Sequence, residues 1–101
     1  MPGDRPGLGD RAVEASTLYA LGRANRRLGR LDAALTYQQD GLAVTEPLGD
    51  RYYQAACLRE LGSIWQARDD RGEAERYWRR ALALFAELGV PDAAEVRQLL
   101  G

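Results

Sequence analysis

The sequence predicts an all-α protein, a stack of helix–turn–helix hairpins with about five helices in total. Three observations support this fold class. A stretch that opens with Leu-Gly-Asp-Arg and closes with Leu-Gly occurs twice, over residues 8–22 and 48–62, so the chain repeats itself at an offset of 40 residues. Apolar residues recur at the three- and four-residue spacing of a helical stripe. Gly and Pro fall between these stripes, where they end helices. A repeat of this length in a helical pattern is typical of a solenoid.

The repeat divides the chain into four predicted segments. These are a flexible lead-in over residues 1–9, a hairpin over 10–49, a second hairpin over 50–89, and a capping helix over 90–101. The lead-in is rich in Gly and Pro, which favour irregular backbone.

The first hairpin has recognisable start and stop signals. Asp10 is suited to cap a helix that runs to about Leu28. Gly29 then provides the left-handed backbone that commonly ends a helix. The second helix follows after two residues and runs to about Glu46, where we expect Pro47 to end or kink it.

The second hairpin repeats this plan. We expect a third helix over residues 51–68, a turn at residues 69–72, and a fourth helix over residues 73–88. The acidic side chains Asp69, Asp70 and Glu73 fit capping of that fourth helix better than metal binding. Pro91 is well placed as the first residue of the last helix.

Small residues recur at matched places in the two hairpins. Gly22 and Gly62 share one place, and Ala34 and Ala74 share another. A larger side chain there would push the two helices of a hairpin apart. We therefore expect close helix contact at these four residues.

The composition excludes several function classes. All 14 basic residues are Arg, and the net charge is −1, so no overall positive potential favours nucleic acid or an anionic membrane. The absence of His removes the commonest general base and metal ligand, and no Gly-rich phosphate loop is present. Cys57, the one cysteine, cannot form an internal disulfide and is expected to be a small buried apolar residue. No apolar run is long enough to span a membrane. We therefore expect a non-catalytic cytoplasmic protein without cofactor or metal.

The residues at the core of the second hairpin follow a known order. A large apolar residue, Leu-Gly, an aromatic, Ala, an aromatic and Ala occur as Leu58, Leu61, Gly62, Trp65, Ala74, Trp78 and Ala81. This pattern resembles the tetratricopeptide repeat (TPR) family. The first hairpin matches at Leu18, Leu21, Gly22 and Ala34, and Pro47 falls near the family's Pro, whereas Asn25, Gln38 and Gly41 depart from the pattern.

The resemblance covers residues 8–100 and implies a right-handed superhelical stack that binds a protein or peptide. The offset of 40 exceeds the family's usual length of about 34 residues. This length is similar to that of the subclass with extended first helices. The residue pattern most resembles the repeats of actinobacterial signalling and transcriptional regulators.

The resemblance also implies a binding surface on the inner face, which the first helix of each hairpin lines. The family's groove positions fall on Ser16, Tyr19, Arg23, Arg26 and Arg27 of the first hairpin and on Ala56, Arg59, Ser63 and Gln66 of the second. Their four arginines predict a basic surface for the carboxylates of an acidic peptide. The alternative is that these arginines pair with nearby Glu and Asp or are solvated. Arg23 and Ser63 replace the Asn of peptide-clamping members, so a carboxylate clamp of that kind is not expected.

The aromatic residues are expected to serve packing more than ligand stacking. Trp65 and Trp78 match packing positions of the repeat, and Tyr77 lies beside one of them. Tyr52 and Tyr53 have no counterpart in the first hairpin. We expect one of this pair to pack on the preceding hairpin and the other to be exposed.

Three roles follow from these observations and stay open at this point. The first is a scaffold that binds an acidic partner through Arg23, Arg27 and Arg59. The second is a self-associating C-terminal sensor or oligomerisation piece of a bacterial regulator, since two hairpins are few for a stable array and an exposed apolar end would favour a homo-oligomer. The third is an accessory subunit of a biosynthetic enzyme complex.

Overall fold

Five helices form sequential hairpins, which confirms the predicted all-α class. The computed structural model describes residues 8–101, with side chains from residue 10 onward. The helices are α1 (Leu8–Arg27), α2 (Leu31–Leu48), α3 (Arg51–Ala67), α4 (Arg71–Leu88) and α5 (Asp92–Leu100). Residues 1–7 of the predicted lead-in lie outside the described residues.

The hairpins stack in chain order. Helix α1 pairs with α2 and α3 pairs with α4, while α3 packs against α2 and α1, and α5 packs against α4. The resulting stack measures 51 × 31 × 17 Å. The buried core is centred on α3 and α4, with Leu58, Leu61, Trp78 and Phe85 among its largest side chains. Cys57 is buried as predicted.

The predicted small residues hold the helices close together. A Cβ atom added to Gly22 would lie 2.4 Å from Nε2 of Gln38, and one added to Gly62 would lie 2.4 Å from the indole of Trp78. Ala34 and Ala74 are fully buried. The absence of a side chain at the two glycines therefore sets the distance between the paired helices.

Gly29 has a positive φ angle, as predicted for a glycine that ends a helix. Gly49 and Gly89 have the same left-handed backbone at the ends of α2 and α4. Asp70 accepts a hydrogen bond from the backbone N–H of Glu73 (3.0 Å), which confirms its capping role. Asp50 caps α3 in the same way through the N–H of Tyr53 (3.1 Å).

Several predicted boundaries are wrong: α4 begins at Arg71 and not at residue 73, and α5 begins at Asp92, directly after Pro91. Asp10 does not cap α1, because the helix begins at Leu8 and Asp10 lies within its first turn. Pro47 does not end α2; it lies in the last turn, and the helix ends at the left-handed Gly49. Proline removes the one backbone hydrogen bond that residue 47 would donate to the carbonyl of Ala43, and only Leu48 of the helix follows it.

Candidate functional site

The first helices of the hairpins enclose a groove with a volume of about 570 Å³. Its walls come from α1, α3 and α5. The lining residues are Tyr19, Arg23, Arg26, Tyr52, Tyr53, Arg59, Glu60, Ser63, Asp92, Glu95 and Leu99. Three of them are arginines and three are carboxylates, so the groove is polar and carries both signs of charge.

The repeat explains why these helices face the groove together. Tyr19, Arg59 and Leu99 are separated by 40 residues each and line the groove from α1, α3 and α5. Helix α5 thus stands where the first helix of a third hairpin would stand. Side chains at equivalent places of stacked helices point to the same side.

Arg59 connects all three walls. Its guanidinium donates to the hydroxyl of Tyr19 (2.8 Å) on α1 and to Glu95 (2.9 Å) on α5, and it lies 3.5 Å from the carboxylate of Asp92. Burial by itself would lower the pKa of Arg59, but Tyr19, Glu60 and Glu95 raise it above its ordinary value. Arg59 is therefore charged and already bound to the chain's own carboxylates.

Arg26 is also paired within the chain. Its Nε donates to the carboxylate of Glu60 on α3 at 2.7 Å. The Glu60 side chain is only 4% exposed, and a buried carboxylate requires such a charged partner. This ion pair therefore ties α1 to α3 and neutralises the charge of Arg26.

Arg23 is different from the other two groove arginines. Within residues 10–101 it has no carboxylate partner, and its Nε is buried without a hydrogen-bond acceptor. An unsatisfied buried donor is unfavourable, particularly on a charged group. Arg23 is thus the groove arginine that has no carboxylate partner among residues 10–101.

Tyrosine rings form the wall at one end of the groove. Tyr53 packs edge-to-face against Tyr19 (ring centroids 5.7 Å apart) and against Tyr52 (5.4 Å). Tyr52 is the exposed member of the pair and donates its hydroxyl proton to Asp92 (3.0 Å). Burial and this hydrogen bond raise the pKa of Tyr52. The division of the pair into one packed and one exposed ring is as predicted.

The structure brings most of the predicted groove residues together. Tyr19, Arg23, Arg26, Arg59 and Ser63 line the groove. Gln66 lines an adjoining depression of about 320 Å³, which shares Arg26, Ser63 and Leu99 with the groove. The two depressions are therefore continuous.

Three of the predicted residues point elsewhere. Arg27 is exposed and does not line the groove, because consecutive residues lie 100° apart around a helix. Ser16 donates to the carbonyl of Val13 (2.9 Å) on its own helix. Ala56 is buried.

Sequence reasoning missed the residues that complete the groove. Glu60, Asp92, Glu95 and Leu99 belong to its lining. Continuing the 40-residue period once more, from Tyr19 and Arg59, would have identified Leu99 and with it α5 as a wall. No comparable signal pointed to the ion pairs, since the partners are 33 to 36 residues apart.

Other polar or aromatic groups take part in packing. Trp78 is fully buried, and its indole donates to the carbonyl of Arg59 (3.1 Å). Trp65 and Tyr77 are half-buried against the core. Burial, and then Glu60 and Asp50, raise the pKa of Cys57 to about 12, so this thiol is protonated at neutral pH and is a poor nucleophile.

The described part of the chain contains no cluster of three His, Cys, Asp or Glu side chains that could hold a metal ion. Its helices also include none with the length and apolar character needed to cross a bilayer. The arginine, carboxylate, tyrosine and serine side chains that line the groove offer hydrogen bonding and ion pairing.

Comparisons with known proteins agree with this architecture. The chain is 30% identical over 76 residues to the 43 kDa receptor-associated protein of the synapse from Tetronarce californica. The match covers 75% of this chain but only 18% of that relative. The sequence profile described as tetratricopeptide repeat matches residues 13–87, and on this evidence the chain belongs to the tetratricopeptide repeat family.

Proposed function

We propose that the chain is a non-catalytic protein-binding module whose groove between α1, α3 and α5 holds an acidic peptide segment of a partner. Tetratricopeptide repeats generally serve protein–protein interaction, and that role is the expectation for this chain. The name of the Tetronarce californica relative describes association with a receptor, which agrees with such a role.

The observation that carries the proposal is the unpaired state of Arg23. Arg26 and Arg59 are bound to Glu60, Asp92 and Glu95, whereas Arg23 has no such partner among the described residues. A guanidinium binds a carboxylate through parallel charge-assisted hydrogen bonds. A ligand carboxylate at Arg23 would therefore gain a partner without displacing one of the chain's own.

The shape of the surface supports a ligand longer than one residue. The groove and the adjoining depression continue from the tyrosine wall past Ser63 to Gln66. Ser63 has a hydroxyl that can both donate and accept, and Gln66 has an amide. An extended segment can therefore place one carboxylate at Arg23 while its backbone contacts these two polar side chains.

Two alternatives from the sequence are kept beside this proposal. One is a self-associating C-terminal piece of a bacterial regulator, and the other is an accessory subunit of a biosynthetic enzyme complex. The accessory role predicts co-purification with one enzyme whose activity falls when this chain is removed. All three roles are compatible with the proposed cytoplasmic location.

The test measures peptide binding by fluorescence anisotropy with a degenerate library of Asp- and Glu-rich peptides and a matched Lys-rich library. We expect only the acidic library to bind, and added salt to weaken binding because it screens exposed ion pairs. Arg23→Gln should weaken binding by about tenfold or more, the effect of losing one charge-assisted hydrogen bond.

Arg27→Gln is the matched control. It removes the same charge from the same helix at a residue outside the groove, so we expect less than about a twofold change. The proposal is overturned if the acidic library does not bind, or if both substitutions weaken binding equally.

A further inference from the structure

One side of α1 carries an apolar stripe that lies away from the groove. It consists of Val13, Thr17, Ala20, Leu21 and Ala24 of α1 and of Leu28, the residue that follows the helix, and all six are exposed. Val13 is 64% exposed and Leu28 is 67% exposed. The stripe is about 22 Å long at the rise of an α-helix, and Leu21 within it is 40% exposed. A continuous exposed apolar face on a helix is typical of an interaction surface.

In the second hairpin, the equivalent face of α3 is covered by the first hairpin. The residues 40 positions later are Tyr53, Cys57, Glu60, Leu61 and Ile64 of α3 and Arg68, the residue after α3. Cys57, Leu61 and Ile64 are fully buried, because the first hairpin packs on them. The stripe on α1 is thus built on a helix-packing face that has no partner within the described chain.

The stripe also differs from its covered counterpart in charge. Glu60 of α3 and Arg68, the residue after α3, form ion pairs with Arg26 and Asp32 of the first hairpin. The equivalent residues are Ala20 of α1 and Leu28, the residue after α1. Its partner is therefore expected to present an apolar helix without matching charges.

The opposite end of the stack does not offer such a helix. Helix α5 covers part of α4, and the first turns of α4 carry the linked ion pairs of Arg71 and Arg79 with Glu75. Stacking of one copy's first hairpin on another copy's last hairpin would place apolar residues against this charged surface. That head-to-tail arrangement is therefore unfavourable.

The stripe is complementary to itself. The intervals between its residues are 4, 3, 1, 3 and 4, which read the same in both directions. In an antiparallel pair, Val13 lies opposite Leu28, and Thr17 lies opposite Ala24. Val13 and Leu28 are large side chains at the ends, and Leu21 is the one large side chain near the centre, where it lies opposite the small Ala20 of the other copy. Asp10 in the first turn of one α1 is then at the same end of the pair as Arg27 in the last turn of the other.

We propose that this stripe is an interface between two copies of the chain, with α1 packed antiparallel on the second copy's α1 about a twofold axis near Ala20 and Leu21. Such an interface uses the same surface on both copies, so it closes at a dimer and does not extend into a filament. It leaves the groove, which lies on another side of α1, accessible. The inference does not depend on the proposed peptide binding.

The first test is solution mass by light scattering across about a thousandfold range of concentration. We expect the mass to rise from 11.2 kDa toward twice that value. Ala20→Glu places two like charges near the twofold axis and should raise the dissociation constant by at least about tenfold. Leu28→Arg, which copies Arg68 of the other hairpin, should weaken the dimer in the same direction.

Leu88→Glu is the matched control, because Leu88 lies on α4 and is 40% exposed, as is Leu21. It should leave the dimer unchanged. Circular dichroism checks that each variant retains its helices. A mass of 11.2 kDa at every concentration overturns the proposal, and so does a dimer that only Leu88→Glu disrupts.

Cross-linking tests the antiparallel arrangement. Ala20→Cys lies near the twofold axis and should form a disulfide between copies, whereas Leu28→Cys should not, because its two copies are far apart. A mixture of Val13→Cys and Leu28→Cys chains should cross-link. Cys57 is buried and does not interfere. Efficient cross-linking of Leu28→Cys with itself would indicate parallel helices and would overturn the arrangement.

Discussion

The two hairpins have the same backbone plan but fill it with different chemistry. The interior of the second contains Trp78 and Phe85, and the equivalent residues of the first are Gln38 and Thr45. All four side chains are buried. The fold therefore tolerates an exchange of aromatic rings for polar side chains at the same places.

One hydrogen bond is kept in both hairpins. Gln38 donates from Nε2 to the carbonyl of Tyr19 (3.0 Å), and Trp78 donates from Nε1 to the carbonyl of Arg59 (3.1 Å). Both donor side chains extend from the second helix of their hairpin to a glycine on the first helix, Gly22 or Gly62. The hairpin thus requires a glycine and a side-chain N–H at fixed places, while the size of the donor's side chain varies.

This exchange of aromatic for polar side chains makes the first hairpin less stable than the second. Oε1 of Gln38 is buried without a partner in the described structure, and such an atom destabilises a fold by about 1–3 kcal/mol. Trp78 has no acceptor to satisfy and buries far more apolar surface. We therefore expect the first hairpin to open at a lower free energy than the second.

The largest expected effect on the free energy of unfolding is at the two buried hydrogen-bond donors, Trp78 and Gln38. Trp78→Ala should lower the free energy of unfolding by about 3–5 kcal/mol, because it removes a large apolar side chain from the core. Gln38→Ala should lower it by about 1 kcal/mol, since the lost hydrogen bond is partly offset by removal of the unpaired oxygen. Urea unfolding of both variants measures the difference. Equal losses would contradict the argument that Trp78 contributes more to stability than Gln38 does.

The next effect is at the glycines beneath these side chains. Gly62→Ala should lower the free energy of unfolding by about 1–3 kcal/mol, because its Cβ meets a rigid indole. Gly22→Ala should have a smaller effect, since the Gln38 side chain can rotate and alanine favours a helix by about 1 kcal/mol over glycine. Thermal unfolding followed by circular dichroism compares them. A larger loss at Gly22 would show that the amide is as rigid as the indole.

A third effect arises from burial of α3 by the first hairpin. The pKa of Cys57 rises from 9.0 to about 12 on folding. Between these values the unfolded state loses a proton that the folded state keeps, so stability should fall as the pH rises, by about 1 kcal/mol at pH 10. Urea unfolding at pH 8 and pH 10, for the native chain and for Cys57→Ala, isolates this contribution. The same decrease in both proteins would contradict it.

The smallest effect is at the turns within the hairpins. Gly29 and Asp69 are equivalent, and both have positive φ angles of 79° and 64°. Asp69→Gly should raise the free energy of unfolding by less than about 1 kcal/mol, since a left-handed backbone strains a residue with a side chain. Gly29→Asp should lower it by a similar amount. Differential scanning calorimetry can measure both, and a stabilising Gly29→Asp would contradict the argument.

The sequence predicts the fold well because its signals are local. Helices follow from apolar periodicity, and their ends follow from residues such as Gly29 and Gly89. The errors at Asp10 and Pro47 concern single turns, where neighbouring contacts decide whether a helix continues.

The groove is predicted less completely because ion pairing depends on distant residues. The pairs of Arg26 with Glu60 and of Arg59 with Glu95 join different helices. Sequence spacing identifies which arginines face the groove, apart from Arg27, but it does not reveal that Arg23 is the unpaired one. That distinction requires the relative positions of α1, α3 and α5.

Arg59 has a consequence for how binding data on this groove are interpreted. By joining Tyr19 on α1 to Glu95 on α5, its guanidinium links the two outer walls of the groove. Shortening this side chain would change the distance between the outer walls and so the ligand length that fits. Under the proposed function, a substitution at Arg59 is expected to alter selectivity for ligands that never touch it, whereas Arg23, which joins no helices within residues 10–101, is expected to report direct contact.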